Sequence, residues 1–390
     1  TESRRPDRSV TARATLFLAC AVTAVHYTGA YMRVPVLPLY ASAQGATPAG
    51  VGAIVAAQMA VAALTAVPFG LASDRWGRGR LLFAGTLVSA VTSFGLAAVT
   101  ALWALAAVYA AAGLGVAAFT PAMMSLVGDV AAPGAAARAY GWYTTALYAG
   151  FGLGPVLGGL AAEYWGERAA LGASGLVVAV AVGLAAPLLA PAAPRPRAGG
   201  AAMRAVARDR TVLAGWLLTV AGIGAWGAVL TFLPLLAHDR GLGPAAIGLV
   251  LGVQALVNTV VRLPAGWLLD RWPARRPWAV GGVFATGALT AAVPLAHRPG
   301  AFLLLAAALG VVLGVAFVAV GAMLAEASTP ATRGTVMGGY STALYVGIAL
   351  AAFGLGPVMA AWGYGAGFAL AGAGALALTL VAGALGRGRA

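Results

Sequence analysis

Apolar residues along this chain run on for twenty or more positions at a time, and charged clusters interrupt them at intervals. No Asp, Glu, Lys or Arg occurs between Arg80 and Asp129, or between Arg333 and Arg387. Each of these intervals holds two membrane-spanning helices and a turn, because one span takes roughly 20 apolar residues. Shorter charge-free runs at 139–162, 169–194, 211–238, 241–261, 277–297 and 299–325 fit one span each. A span near 14–40 and another near 49–72 bring the expected number to twelve. Composition agrees: of 390 residues, 61% are hydrophobic and 9% charged, with mean hydropathy +0.91, which excludes a soluble globular domain.

The chain also repeats itself. Slid by 196 positions, "LPLYASAQGATPAGVG" from Leu37 lies over "LPLLAHDRGLGPAAIG" from Leu233, and "DRW" at Asp74 lies over "DRW" at Asp270. Further on the offset grows to 197, where Asp129 meets Glu326 and "TALY" at Thr145 meets "TALY" at Thr342. Six spans have therefore been duplicated, and the even number gives both copies the same orientation about an axis along the membrane normal. The expected fold is an all-α membrane protein of 12 transmembrane helices in two pseudo-twofold-related six-helix bundles. The first bundle covers 1–190, a Pro-, Gly- and Arg-rich cytoplasmic linker 191–210, and the second bundle 211–390.

Charge then sets orientation. All 24 basic residues are arginine, and they crowd onto one side of the predicted spans: before the first, after the second, fourth, eighth and tenth, and in the linker. The other side carries only Arg168, Arg240 and Arg298, so both termini are expected in the cytoplasm, in a bacterial-type inner membrane. This asymmetry and the anionic lipid surface account for the net charge of +14 without any nucleic-acid partner. The first apolar run is too long for the core of a signal peptide and reads as a span. One cysteine, Cys20, excludes a disulfide framework and a cysteine-held cluster. No cofactor or metal is expected, and the chain is read as a monomer.

Two motifs carry a family resemblance. "GLASDRWGRGR", from Gly70 to Arg80, lies in the turn between the second and third spans. With Gly70, Leu71, Asp74, Arg75, Gly77, Arg78 and a displaced Arg80, it resembles the loop signature of the major facilitator superfamily. The resemblance implies a cytoplasmic gate between the halves, with Asp129 as acidic partner and Asp270, Arg271 and Glu326 as second copies; Pro273 replaces the second glycine. "GFGLGPVLGG", with Gly150, Gly154, Pro155, Gly158 and Gly159, resembles the fifth-helix motif of the twelve-helix drug/proton exporters and implies efflux. Glycines 150, 154 and 158 share one helix face, where a neighbour can pack closely. One departure stands out: Tyr109, four residues before Gly113, occupies the place where such exporters carry an arginine, which argues against the ordinary drug/proton mechanism.

Polar residues inside spans usually face a cavity or a partner, since burying them in lipid is costly. His26 and Arg33 lie two turns apart on the first span, beside Tyr27 and Tyr31. On the eighth, Gln254, Asn258 and Arg262 form a polar stripe, whereas the first copy offers Gln58, Ala62 and Ala66. Arg33 and Arg262 are expected to line the translocation path, to snorkel toward a helix end or to brace a neighbouring helix. His26 reads as either a proton carrier or a structural residue, and Tyr148 and Tyr345 as either cavity aromatics or packing residues. All ten acids fall at span ends or in loops, and Glu163 with Glu167 reads as a solvated rim on the arginine-poor side. Three functions are compatible: export of a small organic molecule by alternating access, exchange of organic anions, and a membrane-embedded enzyme. The third lacks a nucleophile–base or metal constellation.

Overall fold

A computed structural model describes residues 8–131, 135–189, 206, 208–272, 274–329 and 332–385. The side chains of residues 8–11, Leu71, Asp74, Ala136, Ala137, Arg333 and Gly334 lie outside the description, as do Pro273 and nearly all of the linker. The first bundle is built from α1 (Arg8–Ala43), α2 (Pro48–Trp76), α3 (Arg78–Ala98), α4 (Leu102–Val130), α5 (Ala136–Trp165) and α6 (Glu167–Ala185). The second starts with α7 (Arg210–Asp239), α8 (Pro244–Arg271), α9 (Arg275–Ala292) and α10 (Pro299–Glu326). The last helical run, Arg333–Leu385, breaks at Gly363 (φ 80°, ψ 170°). A Cβ at Gly367 would sit 2.1 Å from the Met359 side chain, which no straight helix allows at eight residues' separation, about 12 Å of rise. The chain therefore doubles back, giving α11 (333–362) and α12 (364–385). Among the described residues, eleven helices are long and apolar enough to cross a membrane, and with the last one doubled back they supply twelve spans.

Local chemistry sets the helix starts. Thr47 caps α2 by accepting from the Gly50 amide at 3.3 Å, with Pro48 following at the first turn. Asp209 caps α7 through the amides of Thr211 (2.8 Å) and Val212 (3.3 Å). Hydroxyls buried within the spans return to their own helix: Thr86 donates to the Leu82 carbonyl (2.8 Å), Ser93 to Ser89 (2.7 Å) and Thr379 to Ala375 (2.6 Å). Glycines with positive φ also follow the duplication. Gly45 and Gly241 turn the chain into α2 and α8, and Gly166 and Gly363 turn it into α6 and α12. The fifth, Gly77 (φ 99°), has Pro273 as its counterpart, so this turn alone departs from the repeat.

The two bundles meet along two seams that are equivalent by repeat. On one, a Cβ at Gly52 of α2 would lie 2.1 Å from the Ala352 carbonyl oxygen of α11, and one at Gly356 would lie 2.9 Å from Pro48 O. On the other, a Cβ at Gly248 of α8 would lie 2.3 Å from Pro155 O of α5, and one at Gly159 would lie 2.4 Å from Pro244 O. Gly52 corresponds to Gly248, Gly159 to Gly356, and Pro155 to Ala352, so the pseudo-twofold expected from the repeat appears contact for contact. These contacts all sit toward the arginine-poor end. Toward the arginine-rich end, Gly70, Gly141, Gly266 and Gly338, one on each seam helix, have open space beside them.

Candidate functional site

The polar stripe of α8 faces inward. Gln254 (3% exposed) accepts from the Trp226 indole N–H of α7 at 3.2 Å, and Asn258 (6% exposed) accepts from Arg262 Nε at 3.0 Å. Asn258 is one turn deeper than Arg262, because helical side chains lean toward the N-terminus and α8 starts at the arginine-poor end. The guanidinium is thereby drawn toward mid-membrane, and the snorkelling alternative does not occur. It crosses to the other bundle, where its carbon lies 4.1 Å from the ring centroid of Tyr148 on α5. Tyr340 of α11 is close enough to both groups to interact with them electrostatically.

From Tyr148 an aromatic wall runs along the first bundle. Tyr148 meets Phe151 edge-on at 5.3 Å, Phe151 stacks on Tyr31 at 4.0 Å, and Phe151 meets Tyr27 edge-on at 5.2 Å. The Tyr27 hydroxyl shares a 2.9 Å hydrogen bond with Thr120 of α4, and Tyr345 approaches Thr120 from the second bundle. Tyr148, Tyr345, Tyr31 and Arg262 are thus brought together. Gly150, Gly154 and Gly158 make the wall possible: their would-be Cβ atoms lie 2.7 Å from Tyr27 Cβ, 2.6 Å from Thr28 O and 2.1 Å from Met32 O. This face of the fifth-helix motif packs α5 on α1 of its own bundle, while Gly159 packs it on α8 of the other.

His26 and Arg33 occupy the face of α1 that meets α4. His26 is 2% exposed and stacks on Phe119 at 3.8 Å, and its Nδ1 has no hydrogen-bond partner among the described residues. Arg33 is also 2% exposed, donates from Nε to Ala30 O at 3.3 Å and lies 5.9 Å from the Tyr109 ring, with Nη1 unpartnered among the described residues. A guanidinium that the resemblance would place on α4 is here supplied by α1 to the same neighbourhood. Gln58, 3% exposed, lies against Gly113 through its backbone, and its Oε1 is unpartnered among the described residues. Among the described residues, acidic side chains stand only near the helix ends.

At the arginine-rich end, the charges pair within each bundle. Arg78 of α3 bonds Asp129 and the Ser125 carbonyl of α4. Arg275 of α9 bonds Glu326 of α10 at 2.9 Å and Asp270 at 3.4 Å, and also reaches Leu269 O. The two pairings are repeat equivalents. Arg75, Arg80, Asp270 and Arg271 are exposed. These pairs lie within a bundle, and the glycines of the seam helices at this end, Gly70, Gly141, Gly266 and Gly338, have open space beside them. At the other end, sequence reasoning read Glu163 as a solvated rim. The structure gives it a partner instead: its Oε2 accepts from the Ala245 amide at 3.2 Å, tying α5 to the start of α8 across the seam.

The sequence profile of the Major Facilitator Superfamily matches residues 19–286 and 215–389. The chain belongs to the major facilitator superfamily. A relative from Streptomyces coelicolor, named "Probable transporter SCO4007", is 33% identical over 369 residues, spanning 90% of this chain and 83% of that protein. Among solved structures, a bacterial homologue of the human lysosomal transporter Spinster, inward-facing and unoccupied, aligns over 96% of both chains with a TM-score of 0.75 at 14% identity. The nucleoside transporter NupG aligns over 96% of this chain and 100% of its own with a TM-score of 0.78 at 12% identity. These two likenesses establish the superfamily's fold. The chain is accordingly a multi-pass membrane protein for transport of a small molecule.

Proposed function

We propose that this superfamily member is a secondary-active exporter of a small organic molecule, the two bundles rocking about a site between Arg262, Tyr148 and the aromatic wall. The observation that carries this reading is the pair of repeat-equivalent seams, closed toward the arginine-poor end while glycines toward the arginine-rich end face open space. Alternating access requires two such seams to open and close in turn. Arginine distribution supports an inner-membrane orientation with both termini in the cytoplasm, so the open end faces the cell interior. The fifth-helix glycine motif supports export. We assign the chain no enzymatic activity, no nucleic-acid partner and a monomeric state.

A second reading, exchange of organic anions, is favoured by the buried guanidinium of Arg33 and the inward-directed one of Arg262, with no deep carboxylate among the described residues to balance them. Proton antiport is tested at His26. His26→Phe preserves the stack on Phe119, and under proton antiport it is expected to abolish drive by a pH gradient in proteoliposomes while leaving the folded yield intact. Gradient-driven flux equal to the parent's would exclude His26 as the proton carrier, and absence of any drive by a pH gradient in the parent would remove proton antiport and leave exchange. The transport reading itself rests on flux of a labelled solute into sealed proteoliposomes, and absence of flux across a broad solute panel would refute it.

A further inference from the structure

The terminal nitrogens of Arg262 point to what the site takes. Asn258 occupies Nε and Tyr148 covers the ring-like face of the group. The edge formed by Nη1 and Nη2 remains for a planar, two-oxygen anion, the geometry in which guanidinium binds carboxylate in parallel. Arginine stays charged at any physiological pH, and among the described residues no carboxylate lies near this one. A π face at 4.1 Å compensates a desolvated cation only partly. From Tyr148, against the face of the group, Phe151 and Tyr31 follow and offer ring faces and edges in sequence. A ligand with an anionic head and a flat ring matches both parts of the site.

We propose, building on the transport reading, that the substrate is an aromatic carboxylate. Its head group takes the Nη edge of Arg262 and its ring lies against Tyr148, Phe151 and Tyr31. Because Tyr148 belongs to α5 and Arg262 to α8, a substrate held by both residues touches both bundles at the point where they must separate and re-form. Asn258 acts as a positioning residue that keeps the guanidinium turned inward.

The test uses the purified full chain in nanodiscs and four probes: benzoate, cyclohexanecarboxylate, benzamide and benzylammonium. Benzoate is expected to raise the melting temperature in a saturable manner, cyclohexanecarboxylate to do so with weaker affinity, and the neutral and cationic rings not at all. Arg262→Ala is expected to weaken benzoate binding by about 10- to 100-fold, the loss of a charge-assisted pair of hydrogen bonds. Arg262→Lys keeps the charge but not the fork and is expected to fall between. Arg298→Ala, at the exposed arginine-poor rim, controls for general charge effects and is expected to bind as the parent does. Asn258→Ala is expected to weaken benzoate while leaving the melting temperature of the empty protein nearly unchanged.

Stabilisation by benzylammonium and not benzoate would overturn the substrate class, as would undiminished benzoate binding by Arg262→Ala. Flux separates the two levels of the argument. Transport of a cationic or neutral solute that is indifferent to Arg262→Ala overturns the aromatic anion and leaves the transporter standing. Saturable benzoate binding without flux of any solute supports the site and counts against transport.

Discussion

Gly158 and Gly159 are adjacent in sequence but press on different bundles, which makes their alanine substitutions a direct probe of the seam. A Cβ at Gly159 would lie 2.4 Å from the Pro244 carbonyl oxygen of α8, well inside ordinary contact. The seam must widen by about 1 Å to admit it, at a cost on the order of 1–3 kcal/mol for an overpacked contact. Because that contact exists only while the arginine-poor end is closed, the cost falls on one conformation. At about 2 kcal/mol the balance between conformations moves roughly 30-fold toward opening at that end. A Cβ at Gly158 would lie 2.1 Å from Met32 O, within the same bundle, and penalises every folded conformation alike. Both substitutions gain the same helix propensity, about 1 kcal/mol, so the difference between them isolates the seam. The assay is pulsed electron resonance between spin labels at Gln44→Cys and His297→Cys in a Cys20→Ala background. Gly159→Ala is expected to lengthen the label distance with little loss of folded yield, and Gly158→Ala to lower yield and melting temperature with distances unchanged. Lengthening by Gly158→Ala and not by Gly159→Ala would refute the seam assignment.

Glu163→Ala removes the carboxylate that holds the Ala245 amide across the same seam. With an exposed pair worth about 0.5–1 kcal/mol, the same distance measurement is expected to shift two- to fivefold in population; no shift would make the contact incidental. Asp129→Asn disrupts the pair with Arg78 inside one bundle and is expected to cost at most about 1 kcal/mol in chemical denaturation, because both side chains are partly exposed. A much larger loss would show that the pair organises more than the α3–α4 contact. Gly77→Ala forces a side chain onto φ 99° and is expected to cost about 1–3 kcal/mol, read as a lower melting temperature. A neutral result would mean that the α2–α3 turn relaxes.

The spans were legible because lipid demands long uncharged runs, and arginine clusters mark their ends. The repeat was legible because Pro48 and Pro244, or Gly52 and Gly248, carry the same packing duty in both copies. The inward course of Arg262 was partly legible too: Asn258 and Gln254 at four-residue steps form a stripe that lipid would not tolerate. Its partner was not. Tyr148 lies far from Arg262 in sequence, and only the meeting of the bundles brings it to the guanidinium. The stacking of Phe119 on His26 and the placement of Tyr109 by Arg33 depend likewise on how α1 lies against α4, which no local pattern encodes. Glu163 looked like a rim residue because its partner is a backbone amide, and an amide leaves no mark in the sequence. Arg78 and Arg275 bond acids of their own bundle, Asp129 and Glu326.

The turns at Gly166 and Gly363 reverse the chain within a single residue, and those at Gly45 and Gly241 are nearly as tight. The arginine-poor face is therefore close to flush with the lipid surface, with no overhanging loop to form a vestibule. Whatever passes that rim is not sorted there, so discrimination among solutes falls to side chains deep between the helices. For the experimenter, an antibody fragment directed at that face has little protruding chain to grip, and a reporter group attached there will ride directly on a helix end and follow its tilt faithfully.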